Sequence, residues 1–231
     1  AEFDYSTKWN RTGDNMHPRV VNLRVTPKNI CNEIRKIKPS CNKVDLLSID
    51  IDSMDWYVLK SLLNSNIEPI VTILEFNPMF SYDESYVKFY DDSFNKDSSS
   101  NYGASLRAFE ILMNNYNHTL IHVFSDVDNN IFSNNALFLN NKYIESSVNL
   151  KSIEELHPTP WIEFWKHQNN KDYERKALKS GFRLPTMNLD TSKTIHDRLM
   201  KKPQETKVEL FSQDEIKILK DFYVKNYFKK I

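Results

Sequence analysis

Two stretches decide the fold: Val44-Asp-Leu-Leu-Ser-Ile-Asp-Ile-Asp-Ser-Met-Asp55 and Ile70-Val-Thr-Ile-Leu-Glu-Phe-Asn-Pro78. Each is a short apolar run that ends in acidic or amide residues. Continuous runs of this length predict strands buried on both faces, the habit of parallel sheets. Between them Trp56, Leu59 and Leu63 recur at helical spacing. Asp52 or Ser53 is placed to cap that helix and Pro69 to stop it. Ligands of open α/β sheets bind just beyond the carboxyl ends of the strands. Asp50, Asp52, Glu75 and Asn77 fall there, so the candidate site starts with these four.

Working outward, Val20 to Val25 is rich in β-branched residues and predicts a strand. Thr26-Pro27 then supplies a cap and a first-turn proline for a helix to about Lys36. On the other side, residues 81–101 are polar and aromatic and predict a long loop over the strand ends. Tyr102-Gly-Ala-Ser-Leu106 leads into a helix with Leu106, Phe109 and Met113 on one face. His118 to Phe124 and Asn135 to Leu139 predict two strands. Their link, Asp126 to Asn134, is too short for a helical crossover, so they form an antiparallel hairpin. Alternating elements predict an α/β domain over residues 1–150, its hairpin adding one antiparallel strand. Residues 151–231 read as a helical and loop-rich extension broken by Pro158, Pro160, Pro185 and Pro203. Within it Ser212-Gln-Asp-Glu215 fits a capping box, followed by Ile216, Leu219, Tyr223 and Tyr227 on one stripe.

Composition narrows the function classes. The 231 residues carry no net charge, which gives no support for a nucleic-acid binder. Residues 151–231 hold 17 Lys/Arg against 12 Asp/Glu, an ordinary solvated surface. No apolar run approaches the ~20 residues of a membrane span. Three glycines, Gly13, Gly103 and Gly181, stand far apart, so these residues contain no glycine-rich phosphate loop. Cys31 and Cys41 lack a CxxC spacing; a disulfide and two buried thiols are both open. The sequons Asn10-Arg-Thr12 and Asn117-His-Thr119 permit a secretory route without fixing a compartment.

The strand order with its closing hairpin resembles the S-adenosylmethionine-dependent methyltransferase fold. The motifs are similar to those of its FkbM-like branch: Val25-Thr-Pro-Lys-Asn-Ile30, Asp45-Leu-Leu-Ser-Ile-Asp-Ile-Asp52 with Asp55 and Trp56, Leu74-Glu-Phe-Asn-Pro78, and Tyr102-Gly-Ala-Ser-Leu106. The hairpin ending Asn135-Ala-Leu-Phe138 fits as well, and the resemblance covers residues 1–145. It implies a Rossmann-like class I sheet, S-adenosylmethionine as cofactor, and a small hydroxyl compound such as a sugar as methyl acceptor. Two features depart from the family. Ser53 stands where glycine is usual, and the family's glycine-rich cofactor loop has no counterpart. The resemblance sets Glu2 at the acidic position that binds the cofactor ribose, and implies that the first strand is not among these residues. That strand belongs at the sheet centre, beside the one ending in Asp50. An N-terminal polypeptide segment or a second chain is therefore expected to complete the sheet, because an open edge invites pairing.

Asp50, Asp52, Glu75 and Asn77 offer the hard oxygen donors that Mg²⁺ or another divalent cation prefers. Methyltransferases that hold a metal at such positions make Asp52, Glu75 and Asn77 the metal candidates. The alternative is that these carboxylates cap the next helix and bind loop N–H groups. Asp50, with Asp52, is the candidate for general-base catalysis, and Tyr102 and Ser105 for lining the acceptor pocket. His118 and His122 read as packed or solvent-facing, and His157 and His167 flank Trp161 and Trp165 without metal-ligand spacing. Two further readings compete. Asp50-Ile51-Asp52 also fits the DxD motif of metal-dependent glycosyltransferases, and a methyltransferase fold without its cofactor loop also serves as an inactive interaction or assembly subunit.

Overall fold

The computed structural model describes residues 21–52, 54–93, 102–124, 134–157, 220–221 and 224–231. Along the chain these form α1 (Ile30–Ile37), β1 (Lys43–Ile49), α2 (Asp55–Asn64), β2 (Glu68–Glu75) and β3 (Tyr86–Lys88). Then come α3 (Leu106–Asn114), β4 (His118–Val123), β5 (Asn135–Asn140), α4 (Ile153–Leu156) and β6 (Phe228–Lys230). Four strands make one mixed sheet in the order β1-β2-β5-β4. β1 and β2 are parallel, with Ile49 opposite Leu74 on the last rung. β5 runs antiparallel to both of its neighbours, β2 and β4. The hairpin expected from the short 126–134 link is therefore present, and it inserts one reversed strand into the sheet. A second sheet pairs β3 with β6, antiparallel.

Alternation along the strands puts one face in the core. Ile49, Leu74, Phe138 and Leu120 belong to one buried cluster with Val58, Leu59 and Leu62 of α2 and Phe109, Leu112 and Met113 of α3. Each such side chain contributes roughly 1.5–3 kcal/mol through burial. The Trp56 indole N–H donates to the Ala108 carbonyl at 3.1 Å and links the two helices. At the far end of the sheet both ring nitrogens of buried His118 lie 2.8 Å from carbonyl oxygens, of Tyr116 and of Pro69.

The opposite face departs from the expectation of strands buried on both sides. Val71, Ile73, Leu137 and Leu139 are half-buried, and Leu46 of β1 is 57% exposed. α2 and α3 pack into the same cluster, so among the described residues they cover one face. β1 pairs with β2 along one edge; its other edge carries no described strand.

Three further expectations change. Residues 21–25 form no strand. Their backbone is drawn into a turn: the Asn29 side-chain amide donates to the Arg24 carbonyl at 2.8 Å, and its oxygen accepts from the Thr26 N–H at 2.8 Å. The helix accordingly opens at Ile30 with Asn29 at the cap position, and Pro27 lies in the preceding turn. The expected 81–101 loop contains β3. Of the expected terminal helix, residues 212–219 and 222–223 lie outside the described residues. Residues 220–221 and 224–227 are helical, and the chain then turns into β6. Cys31 and Cys41 are buried free thiols. Among the described residues no helix is long and apolar enough to cross a membrane.

Candidate functional site

The parallel register builds the site. Because Ile49 pairs with Leu74, Asp50, just past the end of β1, comes beside Glu75, the last residue of β2, which still pairs with Asn135. Asp52 follows in a left-handed conformation (φ 57°), one that aspartate tolerates better than most residues. The result is a group of three: Asp50, Asp52 and Glu75 each offer a carboxylate oxygen, all within 4.8 Å of one another. Asp50 is exposed; Asp52 and Glu75 are half-buried. Two like charges about 4 Å apart repel by roughly 1 kcal/mol in water and roughly 4 kcal/mol near a protein surface. A cation with oxygen preference reverses that sign.

The turn is fixed from behind. Asp55, buried in the first turn of α2, accepts the Ile51 backbone N–H on Oδ1 at 2.9 Å. Met54, not Asp52 or Ser53, holds the α2 cap position, and no side chain caps there. Ser53 itself lies outside the described residues. Asp55 thus binds a loop N–H of the turn that carries Asp50 and Asp52.

Glu75 shares a partner with Tyr102. The Asn134 amide nitrogen donates to Glu75 Oε1 at 3.2 Å and to the Tyr102 hydroxyl at 3.1 Å. Burial first, then the negative charges of Glu75 and Asp52, pushes the Tyr102 phenol far above its ordinary range; the Asn134 hydrogen bond acts in the opposite sense. Tyr102 is therefore a neutral hydroxyl against the carboxylates.

The expected residues separate on this geometry. Asp50, Asp52 and Glu75 are brought together, and Tyr102 stands beside them. Asn77 is fully buried, and its side chain turns to backbone: Oδ1 accepts from Met79 N at 3.0 Å and Nδ2 donates to Tyr102 O at 2.9 Å. Both ends of its amide are thus engaged by backbone. The reason is local. Asparagine before proline closes a turn onto the N–H two residues on. Ser105 is also fully buried, and its hydroxyl oxygen accepts from Ala108 N at 3.1 Å and from Tyr86 N at 2.9 Å. It caps α3 rather than lining an open pocket. Glu2, the residue assigned to the cofactor ribose, lies outside the described residues. His118 is buried, His122 is exposed with its ring edge-on to Phe124, and His157 lies 5.9 Å from the Phe76 ring. His167, Trp161 and Trp165 lie outside the described residues.

Two contributors were given no role from the sequence. Asp55 had a signal, an acidic residue four positions after Ile51 at a helix start. Asn134 had none, being one of several polar residues in a hairpin link. No family model matches the chain, and no curated protein or solved structure matches it.

Proposed function

We propose that the chain carries a methyltransferase-type α/β fold whose strand-end carboxylates hold a divalent cation and present it to a small hydroxyl compound. One observation carries the reading: Asp50, Asp52 and Glu75 converge within 4.8 Å at the carboxyl ends of two parallel strands. The reversed β5 between β2 and β4 supports the fold part, since the resemblance calls for a hairpin that adds one antiparallel strand. Their oxygen donors fit Mg²⁺ or Mn²⁺. Asp52 and Glu75, half-buried, are the anchoring ligands. Asp50, the exposed member, is the one an incoming acceptor meets, and it takes the hydroxyl proton. When bound, the cation supplies Lewis acidity toward that hydroxyl and S-adenosylmethionine supplies the methyl group. The same reading puts a further strand on the outer edge of β1, where no described strand lies.

Calorimetric titration of the protein with Mg²⁺ or Mn²⁺, then with S-adenosylmethionine, tests this. Cation binding that Asp52→Asn and Glu75→Gln abolish, together with uptake of the cofactor, is expected. No cation binding removes the site. Uptake of a nucleotide sugar with Mn²⁺ in place of S-adenosylmethionine moves the chain to the DxD glycosyltransferase reading, which the convergence of Asp50 and Asp52 also suits.

A further inference from the structure

β6 lies more than 120 residues from Asp50, Asp52, Glu75 and Tyr102 in sequence, yet an unbroken series of contacts joins them. Phe228, Lys229 and Lys230 pair with Lys88, Val87 and Tyr86 of β3. The ladder extends at both ends, through Phe89 N donating to Tyr227 O at 2.7 Å and Ile231 N donating to Ser85 O at 3.0 Å. The Ser85 hydroxyl also donates to Ile231 O at 2.6 Å. Phe228 is buried, its ring edge-on to Phe80 at 5.0 Å, and Phe80 stacks on Tyr86 at 5.0 Å.

The other edge of β3 holds residues 103–105. Lys88 N donates to Gly103 O at 3.0 Å, Ser105 N donates to Tyr86 O at 2.8 Å, and Val87 bridges Ala104. Gly103 adopts a positive φ of 61°, which turns the chain immediately after Tyr102. Tyr102 then meets Asn77 through its carbonyl and, through its hydroxyl, the Asn134 amide that also binds Glu75. A three-residue strand such as β3 has little stability with one partner only.

We infer that β6 is a positioning strand for the site: when docked on β3 it fixes the 103–105 segment, and through it holds Tyr102 beside Glu75. This rests on the cation-site reading above, because the consequence is read in cation affinity. Terbium(III) is the probe, since a nearby tyrosine sensitises its emission. In the full chain, Phe228→Ala is expected to weaken terbium binding at least about tenfold and to reduce the sensitised emission. Phe228→Leu, which keeps an apolar plug on Phe80, retains most of both. Ser85→Ala, which removes one hydrogen bond and leaves the core intact, shows a smaller loss in the same direction. Leu63→Ala, buried at the far end of α2, destabilises the protein but leaves terbium affinity unchanged. Amide exchange gives a readout without metal: Lys88 and Ser105 lose protection in Phe228→Ala. Absence of terbium binding by the unaltered protein overturns the cation site. Terbium binding that survives Phe228→Ala unchanged, or unchanged protection at Lys88 and Ser105, overturns the role of β6 alone.

Discussion

The Asp55 carboxylate accepts the Ile51 backbone N–H at 2.9 Å, across the turn that carries Asp50 and Asp52. Asp55 is itself buried, so removing the acceptor leaves an N–H unpaired in a partly dry place. Asp55→Ala is expected to cost about 1.5–3 kcal/mol in chemical denaturation, the range for a hydrogen bond to a charged group. It is also expected to weaken Mn²⁺ binding by about tenfold, roughly 1.4 kcal/mol, by releasing the turn. Unchanged Mn²⁺ affinity would show that the turn holds its shape without Asp55.

On the cation-site reading, three carboxylates within 4.8 Å repel one another without metal and are drawn together by it. Asp50→Asn therefore has opposite signs in the two states. Without cation its melting temperature rises, by the equivalent of about 1 kcal/mol of relieved repulsion. At a free cation concentration 100-fold above Kd, the unaltered protein gains about 2.7 kcal/mol, and the variant gains less. Scanning calorimetry with and without Mg²⁺ checks both signs.

Tyr102 sets an alkaline limit. Its phenol is held above the ordinary value of 10.0 by burial and by Glu75 and Asp52. The unfolded chain loses that proton near pH 10 while the folded one keeps it. Stability supplied by the neutral phenol is thus whole below pH 10 and falls above it, by about 1.4 kcal/mol per pH unit for one proton. Denaturation midpoints measured from pH 9 to 11 are expected to fall less steeply in Tyr102→Phe. Equal slopes would place the phenol in water.

Thr72 is fully buried in the middle of β2, between Leu47 and Phe138, and among the described residues its hydroxyl has no hydrogen-bond partner. A buried hydroxyl without a partner costs about 1–3 kcal/mol. Thr72→Val keeps the branched shape and is expected to stabilise the protein by about 1 kcal/mol, read as a higher denaturant midpoint.

Elements with strong local signals were legible. The apolar runs of β1 and β2 and the stripes Trp56–Leu59–Leu63 and Leu106–Phe109–Met113 announce their structures within ten residues. The short 126–134 link dictates the hairpin for the same reason. β3 and β6 could not be read, because three residues carry no periodicity and the two strands meet across a separation of about 140 residues. The site was half legible. Aspartates and a glutamate at strand ends identify the place, but side-chain direction decides which of them meet. The Asn77 amide turns to backbone at Met79 and Tyr102, a use set by the turn before Pro78, whereas the register of Ile49 with Leu74 brings Asp50 beside Glu75.

The central position of β5 bears on the birth of the molecule. β2 leaves the ribosome with an open side that only β5 fills, and β4 has nothing to join until β5 follows it. The roughly 60 residues separating β2 from β5 take about 3–12 s to synthesise at about 5–20 residues per second. For that interval β2 lacks the partner that closes its second edge. A stall between Glu75 and Asn140 leaves that edge unpaired, and an unpaired strand edge is a template for aggregation; a stall after Asn140 does not.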